Sequence, residues 1–326
     1  MPFTLSHAAV AVPLARCRLV FSALVVGSMS PDFSYFVFQT TAFRFSHTLL
    51  GIPFFCVPTS LAVLWLFHSF LKYPLLSLLP EAHHKRLFAV AQGFRFGPLP
   101  HFAVLVFSIT VGALTHLGWD AFTHEGEWGT RYLAFLRQPV WQSGTSDPLK
   151  FCDVLQHAST ILGLVYLVFW CRHWLRQKPA TAPDSTTRLP VHLSAKGRKQ
   201  MFWTFVITAL VLAIAFNYNT KLLLYSYASF QAFLRLTVLL GVPILLAQLC
   251  LYSVIWHLIA SRQFSYEGES YSDETSATRE PRRELKRSSG EYSMRFSGDE
   301  QAPAAETQHL SNEQRPSVEY SMRSPH

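Results

Sequence analysis

The sequence predicts an all-α, polytopic membrane protein with about five transmembrane helices and an N-terminal re-entrant or interfacial hairpin. Half of the 326 residues are hydrophobic and only 15% are charged, whereas soluble domains carry roughly 25% charged residues. The apolar residues are also gathered into runs long enough to cross about 30 Å of hydrocarbon. We therefore expect a body embedded among membrane lipids, with spans near 48–71, 99–122, 154–174, 201–217 and 236–260.

The apolar stretch 8–27 differs from these five runs. It contains Pro13, Arg16 and Arg18 near its middle. An arginine at the centre of a spanning helix costs about 2.5 to 3.5 kcal/mol on insertion scales. This cost favours a helical hairpin that enters and leaves on one side of the membrane over a simple span.

The distribution of Lys and Arg predicts the orientation. The connections 72–98 and 172–200 are rich in these residues, which favours a cytoplasmic location. The segments 28–47, 123–153 and 218–235 would then face the opposite side, and the C-terminus would be cytoplasmic.

The net charge of +8 conceals a division of the chain. Residues 1–261 hold 19 Lys and Arg against 8 Asp and Glu, whereas residues 262–326 hold 9 against 12. The basic loops suit anionic lipid headgroups and give no reason to expect nucleic acid. Residues 1–261 are predicted to form the membrane domain and residues 262–326 a disordered cytoplasmic tail. The tail contains the segment EYSMR twice. The two copies are either a docking or modification site or a drifted low-complexity repeat, and the binding partner of the tail is unknown.

The membrane domain has few acids, and two of them lie among histidines. His116, Asp120 and His124 are spaced four residues apart in HLGWDAFTH, so they would form one stripe at a helix end that Gly126 terminates. Imidazole and carboxylate together suit divalent zinc, manganese or iron, whereas closed structural zinc sites favour cysteine. The sequence predicts a divalent metal site, with zinc first among the candidates, built from His7, Asp32, His47, His116, Asp120 and His124.

Four segments carry a resemblance to a known family: MPFTLSHAAV at the start, SALVVGSMSPDFSYF at 22–36, FSHTLLG at 45–51 and GALTHLGWDAFTHEG at 112–126. They closely resemble a bacterial integral-membrane family, domain of unknown function 4184, over about the first 260 residues. More distantly, the chain is similar to inner-membrane metal-dependent hydrolases with an N-terminal His, a Pro-Asp pair and a Thr-His-Ser step. The resemblance implies a multi-pass protein of the bacterial inner (cytoplasmic) membrane.

The order of candidate ligands also resembles that of the zinc-dependent phospholipase C and nuclease superfamily. Those enzymes end with a His-x-x-x-Glu pair that is absent here, and they use the N-terminal amine of a processed chain. The nearest substitute is Asp153-x-x-x-His157, in reversed order, which makes Asp153 and His157 secondary candidates. One or two metal ions are therefore expected instead of three.

The chemistry that such a site favours is metal-assisted hydrolysis of a lipid, a phosphoester or another envelope small molecule at the outer membrane face. His47, His116 and Asp120 would be core ligands, with His7 and Asp32 completing or bridging the site. Asp32 is also a candidate catalytic carboxylate, and His124 or Glu125 would support the ligands or accept a proton. Two alternatives remain open: a non-enzymatic transporter or metal-binding membrane protein, and a structural protein whose His and Asp residues tie helix ends together.

Overall fold

The expected helical membrane architecture is confirmed. The computed structural model describes residues 4–40, 42–94, 96–141, 148–178, 193–218 and 227–277. Within them, five helices are long and apolar enough to cross a membrane. In chain order these first to fifth spans are Ile52–Ser77, Leu99–Tyr132, Phe151–Gln177, Ala195–Phe216 and Phe233–Arg262.

The N-terminal residues form two helical arms that pack against each other. The first arm comprises the 3-10 helix Thr4–Val10, the α-helix Ala11–Leu14 and the 3-10 helix Ala15–Cys17. The chain then reverses at Arg18, which has a left-handed φ of 59°, and the second arm is the helix Phe21–Met29. Neither arm is long enough to be a span.

The second arm lies very close to the second span. A Cβ atom added to Gly112 would lie 2.6 Å from the carbonyl oxygen of Leu24, and Gly27 approaches the backbone of Ile109 in the same way. Only residues without a side chain permit this separation. Ala23, Leu64, Leu105 and Ile109 are fully buried beside this contact and form an apolar core.

The first span alternates between π-helix and α-helix. It consists of the π-helix Ile52–Cys56, the α-helix Val57–Trp65, the π-helix Leu66–Leu71 and the α-helix Lys72–Ser77. Pro74 has no N–H with which to bond the carbonyl oxygen of Phe70 four residues earlier. That oxygen instead accepts hydrogen bonds from Ser253 Oγ at 2.6 Å and His257 Nε2 at 3.1 Å, which joins the first span to the fifth.

The remaining elements connect or complete the spans. The helices Ser30–Asp32, Phe33–Phe38 and Phe45–His47 link the hairpin to the first span, and Glu81–Gln92 precedes the second. After the helix Leu99–Thr123 come the short helices Trp128–Tyr132 and Ala134–Arg137 and a two-stranded antiparallel ribbon, Pro139–Trp141 with Leu149–Lys150. The last three helices are Phe151–Gln177, Ala195–Tyr218 and Tyr227–Ala277.

The outer surface of the spans is strongly apolar. Ile161, Leu162 and Phe169 of the third span are all more than 60% exposed. Such a continuous apolar surface suits contact with lipid tails.

The chain separates into a unit Met1–Ser270, which carries all five spans, and a unit Tyr271–His326. The backbone of the last helix continues to Ala277, beyond the predicted domain boundary at 261. The rest of the tail, with both EYSMR segments, lies outside the described residues.

Candidate metal centre

The second span brings three of the predicted ligands to one end of the bundle. His116 and Asp120 lie one turn apart in the helix Leu99–Thr123, and both are buried. This helix ends just before His124, whose backbone is extended with φ −117° and ψ 131°. The predicted stripe therefore consists of two helical residues and one at the helix end. Gly126 lies beyond that end with φ +85°.

The other three candidates lie on short turns of 3-10 helix that precede the first span. They are His7 in Thr4–Val10, Asp32 in Ser30–Asp32, and His47 in Phe45–His47. The structure thus gathers residues from the hairpin, the linking segment and the second span at a single location.

Asp120 is at the centre of this cluster, and its two oxygens face different histidines. Oδ2 lies 3.2 Å from His116 Nε2 and 3.9 Å from His47 Nε2. Oδ1 lies 3.6 Å from His7 Nε2 and 3.5 Å from His124 Nδ1. The carboxylate can therefore contact a cation on either side.

Asp32 completes one side of the cluster. Its Oδ1 lies 3.2 Å from His47 Nε2 and 3.7 Å from His116 Nε2. Within the described residues, two sets of three present ligand atoms within 4.8 Å of one another, namely His7, His116 and Asp120, and Asp32, His47 and His116.

His116 is held in one orientation by the backbone. Its Nδ1 lies 2.8 Å from the carbonyl oxygen of Ser28, and because a carbonyl only accepts, Nδ1 must donate. In a neutral imidazole the lone pair then belongs to Nε2, which faces the cluster. His116 Nε2 and Asp120 Oδ1 are both buried without a hydrogen-bond partner among the described residues. A divalent cation would satisfy both atoms, so the residues present fit such an ion.

His47 is oriented by a chain of serine hydroxyl groups. Ser34 Oγ donates to the carbonyl oxygen of Pro31 at 3.1 Å, and Ser46 Oγ donates to Ser34 Oγ at 2.9 Å. Ser46 Oγ must therefore accept the hydrogen of His47 Nδ1, which lies 3.1 Å away. This leaves the lone pair of His47 on Nε2, toward the two aspartates.

Burial and charge suit His7 and Asp32 to metal binding at neutral pH. Burial of the His7 ring, and then the nearby His116, lower the pKa of His7 to about 4, so its ring is neutral. Burial alone would raise the pKa of Asp32, but the charge of His116 and the charge and hydrogen bond of His47, when these rings are protonated, outweigh it and the pKa lies below its usual value. Asp32 is therefore ionised. The ring of His7 stacks on that of His116 with centroids 3.9 Å apart.

Tyr35 belongs to the site, although sequence reasoning did not identify it. Its hydroxyl lies 3.5 Å from His47 Nε2. Burial, followed by the charges of Asp32 and Asp120, raises the pKa of Tyr35, which keeps the hydroxyl protonated and able to donate. Its position three residues after Asp32, about one helical turn, was the available signal.

His124 occupies a different position from the other histidines. Its Nε2 lies 2.7 Å from the side-chain nitrogen of Gln156 in the third span. An amide nitrogen only donates, so Nε2 accepts and Nδ1 carries the ring hydrogen. Nδ1 lies 3.3 Å from Thr123 Oγ1, with Asp120 Oδ1 slightly farther away at 3.5 Å. Among the described residues, His124 belongs to neither set of mutually close ligand atoms. Gln156 gave no signal in the sequence.

The remaining candidates do not join the cluster of ligand atoms. Glu125 Oε2 pairs with Lys150 Nζ at 2.5 Å and lines the same cavity as the cluster. Asp153 Oδ2 accepts a hydrogen bond from the backbone N–H of Lys150, which makes it a capping residue of the third span. His157 is exposed on that helix.

A cavity of about 290 Å³ opens in front of the cluster. Its lining includes the cluster residues His7, Asp32, His47, Asp120 and His124, together with Tyr35, Arg44, Leu117, Glu125, Glu127 and Arg235. A small polar molecule could reach the buried carboxylates through this opening.

Five apolar spans and a buried cluster of histidines and aspartates at one end define a polytopic helical membrane protein with a candidate metal centre. The chain belongs to the family described as domain of unknown function DUF4184, whose model matches residues 1–254. No curated protein and no solved structure matches the chain.

Proposed function

We propose that this protein is a membrane-bound, metal-dependent hydrolase that acts on a lipid, a phosphoester or another envelope small molecule. The observation that carries the proposal is the buried pair of Asp32 and Asp120, toward which His7, His47 and His116 direct their Nε2 atoms. Isolated buried carboxylates are costly unless they are paired or coordinate a metal. Zinc fits this mixture of nitrogen and oxygen ligands best.

His47, His116 and Asp120 would hold the ion, and His7 and Asp32 would complete the site or bind a second ion. A bound divalent cation supplies Lewis acidity, which activates water near neutral pH and polarises a substrate oxygen.

The chain's own residues supply the remaining chemistry. Asp32, where it is not committed to the ion, is placed to accept a proton, and Glu125 at the cavity wall is the second candidate for this role. Tyr35 can donate a hydrogen bond to an oxygen at the cluster because its hydroxyl stays protonated. Each of these groups lines the cavity that a substrate would enter.

The proposed location is the extracytoplasmic face of a bacterial inner membrane, with a cytoplasmic C-terminus. The basic connections 72–98 and 172–200 would lie inside by the positive-inside rule. The cluster lies where the first span begins and the second ends, which is then the outer face. Membrane lipids and envelope small molecules are the substrates accessible there.

A transporter or passive metal-binding protein is the competing interpretation, and the packing beneath the cluster weighs against transport. Along the second span, His116 is followed inward by Ala113, Ile109 and Leu105, all fully buried. The close contact at Gly112 fills the adjacent space with backbone. A cation path through the described residues would have to cross this apolar layer.

Elemental analysis of the purified full-length protein tests the proposal. The wild type should carry about one or two zinc ions per chain, and Asp120→Asn should lose most of them because a neutral amide is a poor ligand. His101→Asn is the matched control, since His101 lies exposed at the other end of the same helix. The zinc-loaded wild type should also hydrolyse bis(4-nitrophenyl) phosphate, and the zinc-depleted protein should not. A metal-free wild type, or equal zinc loss in both variants, would refute the proposal.

A further inference from the structure

Two arginines line the cavity in front of the cluster, and they differ in how their charge is balanced. Arg44 Nη2 lies 2.6 Å from Glu127 Oε1, so its charge is compensated within the cavity wall. Arg235 comes from the start of the fifth span and is exposed. It makes no ion pair or hydrogen bond with any other described residue.

Each carboxylate that lines the cavity already contacts another side chain. Asp32 and Asp120 face the histidines, Glu125 is paired with Lys150, and Glu127 is paired with Arg44. Among the described residues that line the cavity, Arg235 is therefore the cation without a carboxylate partner. Its guanidinium is available to an anion that enters from outside.

We propose that Arg235 binds a phosphoryl group of the substrate. The inference rests on the proposed function, because the same phosphoryl group would present another oxygen to the cation held by Asp120 and His116. A guanidinium donates two parallel hydrogen bonds to a phosphate in a fixed geometry, which gives orientation as well as attraction. Arg235 and Asp120 line the same cavity, so a phosphate bound there would face both the guanidinium and the site of the cation.

The size of the cavity restricts what can bind with this phosphate. Ligand cavities range from roughly 300 to 1,000 Å³, and this one has about 290 Å³. It has room for a phosphate with a small substituent, such as a glycerol phosphate headgroup, and is too small to enclose acyl chains as well. A phosphatidic acid molecule would therefore leave its chains in the bilayer, and a soluble glycerol phosphate would fit whole.

An arginine at the end of a span can also reach outward to ordinary lipid phosphates. Binding measurements in phosphate-free maltoside detergent separate this role from the proposed one. The zinc-loaded full-length protein would be titrated calorimetrically with inorganic phosphate, for the wild type, Arg235→Gln, Arg235→Lys and Arg137→Gln. Arg137 is an exposed arginine of the connection between the second and third spans and does not line the cavity.

Arg235→Gln should weaken phosphate binding at least tenfold. Arg235→Lys should retain part of the affinity, because lysine keeps the positive charge but lacks the two parallel N–H donors of the guanidinium. Arg137→Gln should change the affinity less than twofold. All four proteins should carry the same amount of zinc and unfold at similar temperatures. Equal phosphate affinity in Arg235→Gln and wild type, with zinc retained, would overturn this inference alone. A wild type without zinc would overturn both the inference and the proposed function.

A second titration identifies the source of the phosphate. Glycerol 3-phosphate and phosphatidic acid would be compared in the same detergent. Tighter binding of phosphatidic acid, lost in Arg235→Gln, would assign a lipid headgroup, whereas equal binding of both would assign a soluble phosphoester. Phosphatidic acid binding that Arg235→Gln leaves unchanged would show that Arg235 contacts no phosphate.

Discussion

Ser46 Oγ accepts a hydrogen bond from Nδ1 of His47 across 3.1 Å, and this contact determines which ring nitrogen faces the aspartates. The carbonyl oxygen of Pro31 can only accept, so Ser34 Oγ donates to it and Ser46 Oγ donates to Ser34 Oγ. The hydrogen of Ser46 Oγ is thereby used, and this oxygen is left to accept from His47. In the same way, Nδ1 of His116 donates to the carbonyl oxygen of Ser28, so Nε2 of His116 faces the aspartates. Two histidines from distant segments thus turn Nε2 toward the aspartates because of hydrogen bonds to neighbours outside the cluster of ligand atoms.

Replacing Ser46 with alanine should therefore weaken metal binding without removing a ligand. Loss of a residue that orients a metal-binding histidine typically costs 10- to 100-fold in affinity. Competition with a chromogenic zinc chelator would measure the change. Ser60→Ala is the control, because Ser60 Oγ is buried without a hydrogen-bond partner among the described residues. If both variants bound zinc as the wild type does, the hydroxyl chain would have no part in orienting His47.

The second prediction concerns the contact between the hairpin and the second span. Gly112→Ala should destabilise the protein by about 1 to 3 kcal/mol, the usual cost of overpacking, because the new Cβ would meet the backbone of Leu24. Thermal unfolding in detergent would show this as a lower midpoint.

Gly118 on the same helix provides the comparison. A Cβ there would have nothing within 4 Å. Gly118→Ala should therefore leave stability unchanged or raise it by up to about 1 kcal/mol through better helix propensity. Equal destabilisation by the two substitutions would argue against the close approach of the two helices.

The five spans could be predicted from the sequence because long apolar runs have few alternative structures in a membrane. The two π-helical segments of the first span could not, although Pro74 offered a signal for the second, Leu66–Leu71, which contains Phe70. A proline shows which carbonyl loses its helical donor. At Phe70 the neighbours that replace this donor are Ser253 and His257, which lie 183 and 187 residues further along the chain. Such partners depend on tertiary packing that a single sequence does not specify.

The candidate site shows a similar division. His116 and Asp120 could be paired from their spacing alone, since four residues make about one helical turn. Their proximity to His7, Asp32 and His47 followed from an argument about topology, and the structure places these residues together. The supporting residues Ser34, Ser46 and Gln156 carry no distinctive pattern, because serine and glutamine occur at many positions for other reasons.

The third prediction is that residues 262–326 are dispensable for folding. The fifth span ends at Arg262, and the apolar runs of the sequence end with it. Truncation after Ser261 should leave expression level and unfolding temperature nearly unchanged, as measured by fluorescence-detected gel filtration during heating. A truncated protein that aggregates would show that the last helix needs residues beyond the span.

The last prediction fixes the side of the membrane on which the site opens. In a cysteine-free background, Gln138→Cys should react with a membrane-impermeant thiol reagent in intact cells, and Ala82→Cys should react only after lysis. Both positions are exposed, so a difference in labelling reports the membrane side and not burial. Gln138 lies in the connection that follows the cluster, whereas Ala82 lies in the basic connection between the first and second spans. The reverse labelling would place His116 and Asp120 at the cytoplasmic face, and envelope lipids of the outer leaflet would then be excluded as substrates.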